Sequence, residues 1–160
     1  MTRGVDRKRE LAVELLMAGR DMGTHAIIFH QSVADRLGLN PTDHKCLDLL
    51  HRRENATAGD LAEWTGLTTG AITGVIDRLE KTGFVRREPH PDDRRKIIVR
   101  PICEKLSEVA ALFKSLAEGM SEVCDRFTQA ELRVILEYLT HSAEVFRRET
   151  QRLQSTDKKR

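Results

Sequence analysis

The chain has 160 residues and a nearly balanced charge, 27 Lys and Arg against 25 Asp and Glu, so its net charge of +2 does not by itself mark a nucleic-acid binder. That length is enough for a real core in one compact domain, or in a small domain with helical extensions. Cys46, Cys103 and Cys124 are scattered and odd in number, which argues against a secreted disulfide framework. No signal peptide or long apolar run is present, so the expected location is the cytoplasm and no membrane partner is expected.

Residues 1–9 are polar and read as a frayed start. From Glu10 to Leu37 there is no proline, and Leu11, Leu15, Ala18, Met22, Ala26, Phe29 and Val33 recur three and four residues apart, the spacing of one helix face. Such a helix extends roughly 40 Å at about 1.5 Å per residue, more than a small domain covers by itself. A second copy of the chain is the simplest cover; a helix packed only on its own domain is the alternative. Gly38, Leu39, Asn40 and Pro41 end this element. Asn40 or Thr42 caps the next, a helix from Asp43 to Arg53 that buries Cys46, Leu47 and Leu50.

Thr57 with Asp60 makes a capping box that opens a short helix, and Gly66 ends it in the left-handed conformation. Leu67 turns inward and Thr68 caps a second helix, whose buried face is expected to be Ala71, Ile72, Val75, Ile76 and Leu79. Its outward set is Thr69, Gly70, Thr73, Gly74, Asp77 and Arg78. Slim residues in the leading turns let a helix approach base edges in a major groove, and its N-terminal amides suit a phosphate. The same threonines and glycines also serve simply to cap and pack a helix.

After Gly83, Phe84–Arg87 and Lys96–Arg100 read as two strands around the turn-rich loop EPHPDDRR. Eight Lys and Arg face four Asp and Glu between Arg78 and Arg100, and Arg94, Arg95 and Lys96 concentrate charge at the loop. A basic loop beside a recognition helix can follow phosphates or place an arginine in the minor groove; a solvated hairpin with paired charges is the bland reading. Together the segment reads as a winged helix-turn-helix. Pro101 stops the strand. A helix from Glu104 to Cys124 follows, and a second capping box, Thr128 with Glu131, opens a last helix carrying Leu132, Ile135, Leu136, Leu139, Ala143 and Phe146. Their near-heptad stripes suit dimerisation.

The run from Leu61 to Arg95 resembles the DNA-binding core of the MarR family, the bacterial multiple-antibiotic-resistance regulators. Leu79, Glu80, Lys81, Thr82 and Gly83 match the turn that ends the family's recognition helix, and Asp93, Arg94 and Arg95 match its wing motif. The resemblance implies a mainly α fold with a small β-wing. The winged helix-turn-helix core, 39–101, is then flanked by an N-terminal dimerisation helix, 1–38, and C-terminal dimerisation helices, 102–154, with a disordered tail at 155–160. It also implies a homodimer that binds a pseudo-palindromic operator in double-stranded DNA and represses transcription until a small lipophilic or phenolic effector releases it. The expected DNA contacts are Thr69, Gly70 and Thr73 to bases, Thr68 and Arg78 to backbone, and Arg94, Arg95 and Lys96 from the wing. In the family the junction after the wing has a threonine cap and, three residues on, a glycine; here Cys103 and Leu106 stand there.

The resemblance implies an effector pocket between the dimerisation helices and the winged core, and its candidates here are His25, Phe29 and Cys46, with His30 and His44 nearby; a histidine there can pair with an anionic ligand. Cofactor and metal are both expected to be none: His44 and Cys46, two apart on a helix, point to different faces. No phosphate loop or nucleophile elbow marks an enzyme. The contrasting readings are a winged-helix protein-interaction module without specific DNA binding, and a redox- or metal-responsive regulator.

Overall fold

The computed structural model describes residues 2–53, 56–91, 93 and 96–157. Its elements run α1 (Thr2–Leu37), α2 (Pro41–Arg52), β1 (Ala56–Thr57), α3 (Ala58–Thr65), α4 (Thr69–Lys81), β2 (Val85–Pro89), β3 (Ile97–Pro101), α5 (Cys103–Cys124) and α6 (Gln129–Asp157). They form two compact units, 1–109 and 110–160, with α5 running through the division. The architecture is the mainly helical one with a small wing that the sequence predicts.

Local chemistry sets the boundaries. The N–H groups of Thr57 and Asp60 bond reciprocally to each other's side chains at 2.7 and 3.2 Å, which closes the capping box of α3. Thr57 also holds the Asp60 carboxyl below the usual carboxylate range, through its hydroxyl first and its backbone N–H second. Asn40 Oδ1 accepts from Asp43 N–H at 2.9 Å and Thr68 Oγ1 from Ala71 N–H at 3.2 Å, so α2 and α4 are capped as well. Gly66, at φ 72°, and Gly83, at φ 75°, occupy the left-handed region where a Cβ would be strained. In the second unit Thr128 and Glu131 form the other capping box, which opens α6.

The core of the first unit lies where α2, α3, α4 and the sheet converge, on Leu47, Leu50, Leu61, Ile72, Val75, Ile76, Leu79, Val85 and Val99. Ala71, expected inside, is exposed. The packed face of α4 starts only at Ile72, and the turn before it stands clear of the core, as groove entry would require. The sheet has the order β1-β3-β2, with Val85 opposite Pro101, Pro89 opposite Ile97 and Ala56 opposite Val99. Two residues of β1 are too few for an alternating pattern, so this strand had no signal in the sequence. α1 starts at Thr2 rather than Glu10, and α6 continues to Asp157, past the expected end at 154. A helix of 36 residues spans about 54 Å.

Candidate nucleic-acid interface

The outward face of α4 is built as a slim edge. Thr69, Gly70 and Thr73 are exposed, and Gly74 is partly so. Thr73 donates its hydroxyl hydrogen to the Thr69 carbonyl at 3.0 Å, which leaves that oxygen as an acceptor beside a methyl group. Thr68 caps the helix, and the amides of the first turn carry the positive end of its dipole.

Arg78 closes the same face one turn later, and α2 holds it. Asp43 Oδ2 accepts from Arg78 Nε at 2.8 Å and Oδ1 from Nη2 at 2.7 Å, a fork that raises the guanidinium pKa still further above its ordinary value. Arg87 of β2 ties the wing to α4. Its Nη2 lies 2.5 Å from Asp77 Oδ1, its Nη1 bonds Glu80, and its N–H donates to Glu80 Oε1 at 3.1 Å. Glu88 bridges Arg86, at 2.5 Å, and Arg100, at 2.7 Å, across the two wing strands.

These pairs change the meaning of the basic segment. Arg78, Arg86, Arg87 and Arg100 are each matched by a carboxylate, so they fix geometry as much as they project charge. Among the described residues of that stretch, Lys81 and Lys96 are the cations without an ion pair. The loop is closed by His90 N–H to the Lys96 carbonyl and Lys96 N–H to the Asp93 carbonyl, both at 2.9 Å, which presents the exposed Lys96 side chain at its base. Arg94 and Arg95, expected at the wing tip, lie outside the described residues. Asp43 and Arg87 were not singled out by the sequence. Their partners are 35 and 7 to 10 residues away, and no helical or strand period connects them.

The effector candidates separate. His25 is exposed on α1, with its Nδ1 3.0 Å from the Asp21 carbonyl oxygen. Phe29 is half-buried, edge-on to His30 at 5.9 Å between ring centroids. Cys46 is completely buried, and burial first, then Asp43, pushes its thiol up to about 11. None of the three lines the cleft of about 350 Å³ between α1 and α2, which is bordered by Ile27, His30, Gln31, Pro41, His44 and Lys45. His30 and His44 meet there at 5.4 Å. Burial lowers the His44 pKa, His30 lowers it further, and Asp48 acts the other way. Among the described residues no cluster of three His, Cys, Asp or Glu could hold a metal ion, and no helix is long and apolar enough to cross a membrane.

The MarR family model matches residues 39–97, the segment from Leu39 through α2, α3, α4 and β2 into β3. The chain is similar to the uncharacterized HTH-type transcriptional regulator YcgE of Bacillus subtilis, 38% identical over 146 residues, which cover 91% of this chain and 95% of that one. It is similar also to the HTH-type transcriptional repressor NicR of Pseudomonas putida, 30% identical over 118 residues and 72% of either chain. In fold it is similar to a MarR family protein from Bacillus stearothermophilus, with a TM-score of 0.67 at 17% identity over 86% of this chain and 96% of that one. The capped helix pair, the wing locked to it by Arg87 and these likenesses together place the chain in the MarR family of transcription regulators.

Proposed function

We propose that two copies of the chain bind a pseudo-palindromic operator in double-stranded DNA, in the cytoplasm, and repress transcription from it. The observation that carries this reading is the bare leading edge of α4, exposed Thr69, Gly70 and Thr73 opposite a completely buried apolar face, beside a wing anchored to the same helix. Thr69, Gly70 and Thr73 approach base edges, the Thr68 turn and Arg78 take backbone phosphates, and Lys96 with Arg94 and Arg95 follows the flanking minor groove. With its hydrogen given to Thr69, the Thr73 oxygen favours the amino group of a cytosine or an adenine.

Dimerisation is supported by apolar side chains that a solitary chain leaves in water. Leu11, Leu15, Met22 and Ile27 on α1 and Val134, Leu136 and Phe146 on α6 are all exposed, Ile27 by 72% and Phe146 by 74%. Large apolar side chains exposed in this number on each of two long helices suit burial against a second copy. Two-fold symmetry then puts the recognition helices about 34 Å apart, one turn of DNA. Repression follows the relative in Pseudomonas putida, which is named a repressor.

A small lipophilic or phenolic anion is the proposed effector, and the α1–α2 cleft is its proposed seat. Apolar Ile27 and Pro41 would take its ring, Lys45 its charge, and His30 and His44 a hydrogen bond to its oxygen, with Asp48 at the same cleft opposing the anion. Because α2 also holds Arg78, a ligand bound there can bias the recognition helix, with a typical coupling of about 1 to 3 kcal/mol.

The test is a titration of the purified chain against its own upstream intergenic fragments, with excess random competitor and at several salt concentrations, together with light scattering for its mass. Competitor-resistant binding of a dimer to one fragment is expected, weakened by Arg94→Ala with a shallower salt slope. Weak, steeply salt-dependent binding to every fragment would favour the interaction-module reading, which the internal neutralisation of the wing arginines permits.

A further inference from the structure

The first turn of α2 contains a buried acid committed to the recognition helix. Asp43 is 2% exposed, and a buried carboxylate is stable only when its oxygens are matched. Asn40 Nδ2 donates to Oδ2 at 2.8 Å, and Arg78 supplies its Nε and Nη2 hydrogens to the two oxygens. A two-point fork fixes the plane of the guanidinium as well as its position.

That plane leaves one edge unused. A guanidinium has five N–H donors, and Asp43 engages two. Among the described residues no other acceptor meets Arg78, so both Nη1 hydrogens and one on Nη2 are available. The side chain is 51% exposed against 3% for Asp43, so the cation lies outermost. Its free edge adjoins the slim strip of α4: a Cβ at Gly74 would stand 3.5 Å from Nη1, and one at Gly70 would meet nothing within 4 Å. Lysine there would keep the charge but not the fork.

We propose that Asp43 is a positioning residue for DNA binding, which holds Arg78 in the one plane that turns its free Nη1 edge to a backbone phosphate beside the Gly70–Gly74 strip. α2 then sets the reach of this contact, and α4 alone does not. The proposal rests on the DNA-binding reading above.

The test compares the full chain with Arg78→Gln, Arg78→Lys and Asp43→Asn in operator binding over a range of salt concentrations, with a thermal melt of each. Arg78→Gln should lower the slope of log affinity against log salt by about 0.9 for each half-site. A purely structural ion pair would not move that slope. Arg78→Lys and Asp43→Asn should keep the native slope and lose about tenfold in affinity, the worth of one oriented charge-assisted contact. An unchanged slope in Arg78→Gln overturns the phosphate contact, and native affinity in a folded Asp43→Asn overturns the positioning role. If Asp43→Asn does not fold, the half-exposed Arg78→Lys decides, because native affinity there shows that the fork is dispensable. A native chain that binds no fragment specifically removes the DNA-binding reading itself, and the proposal with it.

Discussion

Replacing Gly74 by alanine separates what α4 needs for folding from what it needs for DNA. Gly74 lies inside the helix, and an added Cβ meets only Arg78 Nη1, at 3.5 Å, an ordinary contact distance. Nothing must shift to admit the methyl group. Glycine inside a helix is disfavoured relative to alanine because the unfolded chain gives up more freedom, so Gly74→Ala should stabilise by about 0.5–1 kcal/mol. In urea, where the slope is about 1–3 kcal/mol per molar, the midpoint should rise by about 0.2–1 M at unchanged slope. The comparison must be made at one protein concentration, because the proposed dimerisation would add to apparent stability. Operator affinity should fall, since the methyl stands on the strip proposed to face the groove and 3.5 Å from Arg78 Nη1. A lower midpoint would refute the steric reasoning. A higher midpoint with unchanged operator affinity would refute the close approach of this strip to DNA.

Other substitutions probe the caps, the buried histidine and the buried thiol. Thr57→Ala removes the hydroxyl that caps α3 and bonds Asp60; a loss of about 1 kcal/mol in denaturant unfolding is expected, and none would mean that the box is idle. His44 is depressed in the folded chain, chiefly by burial, so the unfolded chain takes up its proton first as the pH falls. Its stability contribution is therefore complete above about pH 6.5 and declines below that value toward the depressed native pKa, by at most about 1.36 kcal/mol per pH unit. His44→Gln should flatten stability over that window, and an unchanged pH profile would locate the titration elsewhere. Cys46, buried and with its pKa pushed up to about 11, should react with a thiol reagent only after unfolding, whereas labelling of the native chain at Cys46 would show that α2 opens readily. Leu79→Ala empties a completely buried site at the centre of the core and should cost about 2–5 kcal/mol; a smaller loss would mean that α4 collapses onto the cavity.

Local rules made much of this chain legible in its sequence. The caps at Asn40, Thr57, Thr68 and Thr128 and the left-handed turns at Gly66 and Gly83 depend on residues at most four apart, so side-chain chemistry alone specifies them. The buried stripe of α4 follows from helical period, and it failed only at Ala71, where a periodic position lies beyond the end of the packed face. Tertiary structure decided whatever depends on distant residues meeting. β1 exists because Ala56 and Thr57 lie against Val99 and Ile98, about forty residues on. The sequence left open whether the basic segment projects its charge or pairs it within the hairpin; the structure shows Arg78, Arg86, Arg87 and Arg100 taken by Asp43, Asp77, Glu80 and Glu88, of which Asp43, Asp77 and Glu80 lie outside the wing. Helical period already placed Cys46 inside and His44 on another face, but only packing brought His44 against His30 of α1 at a cleft. Periodicity states which face of an element is apolar; only packing states which charge that face will meet, because an ion pair needs two groups within about 4 Å wherever they stand in the chain.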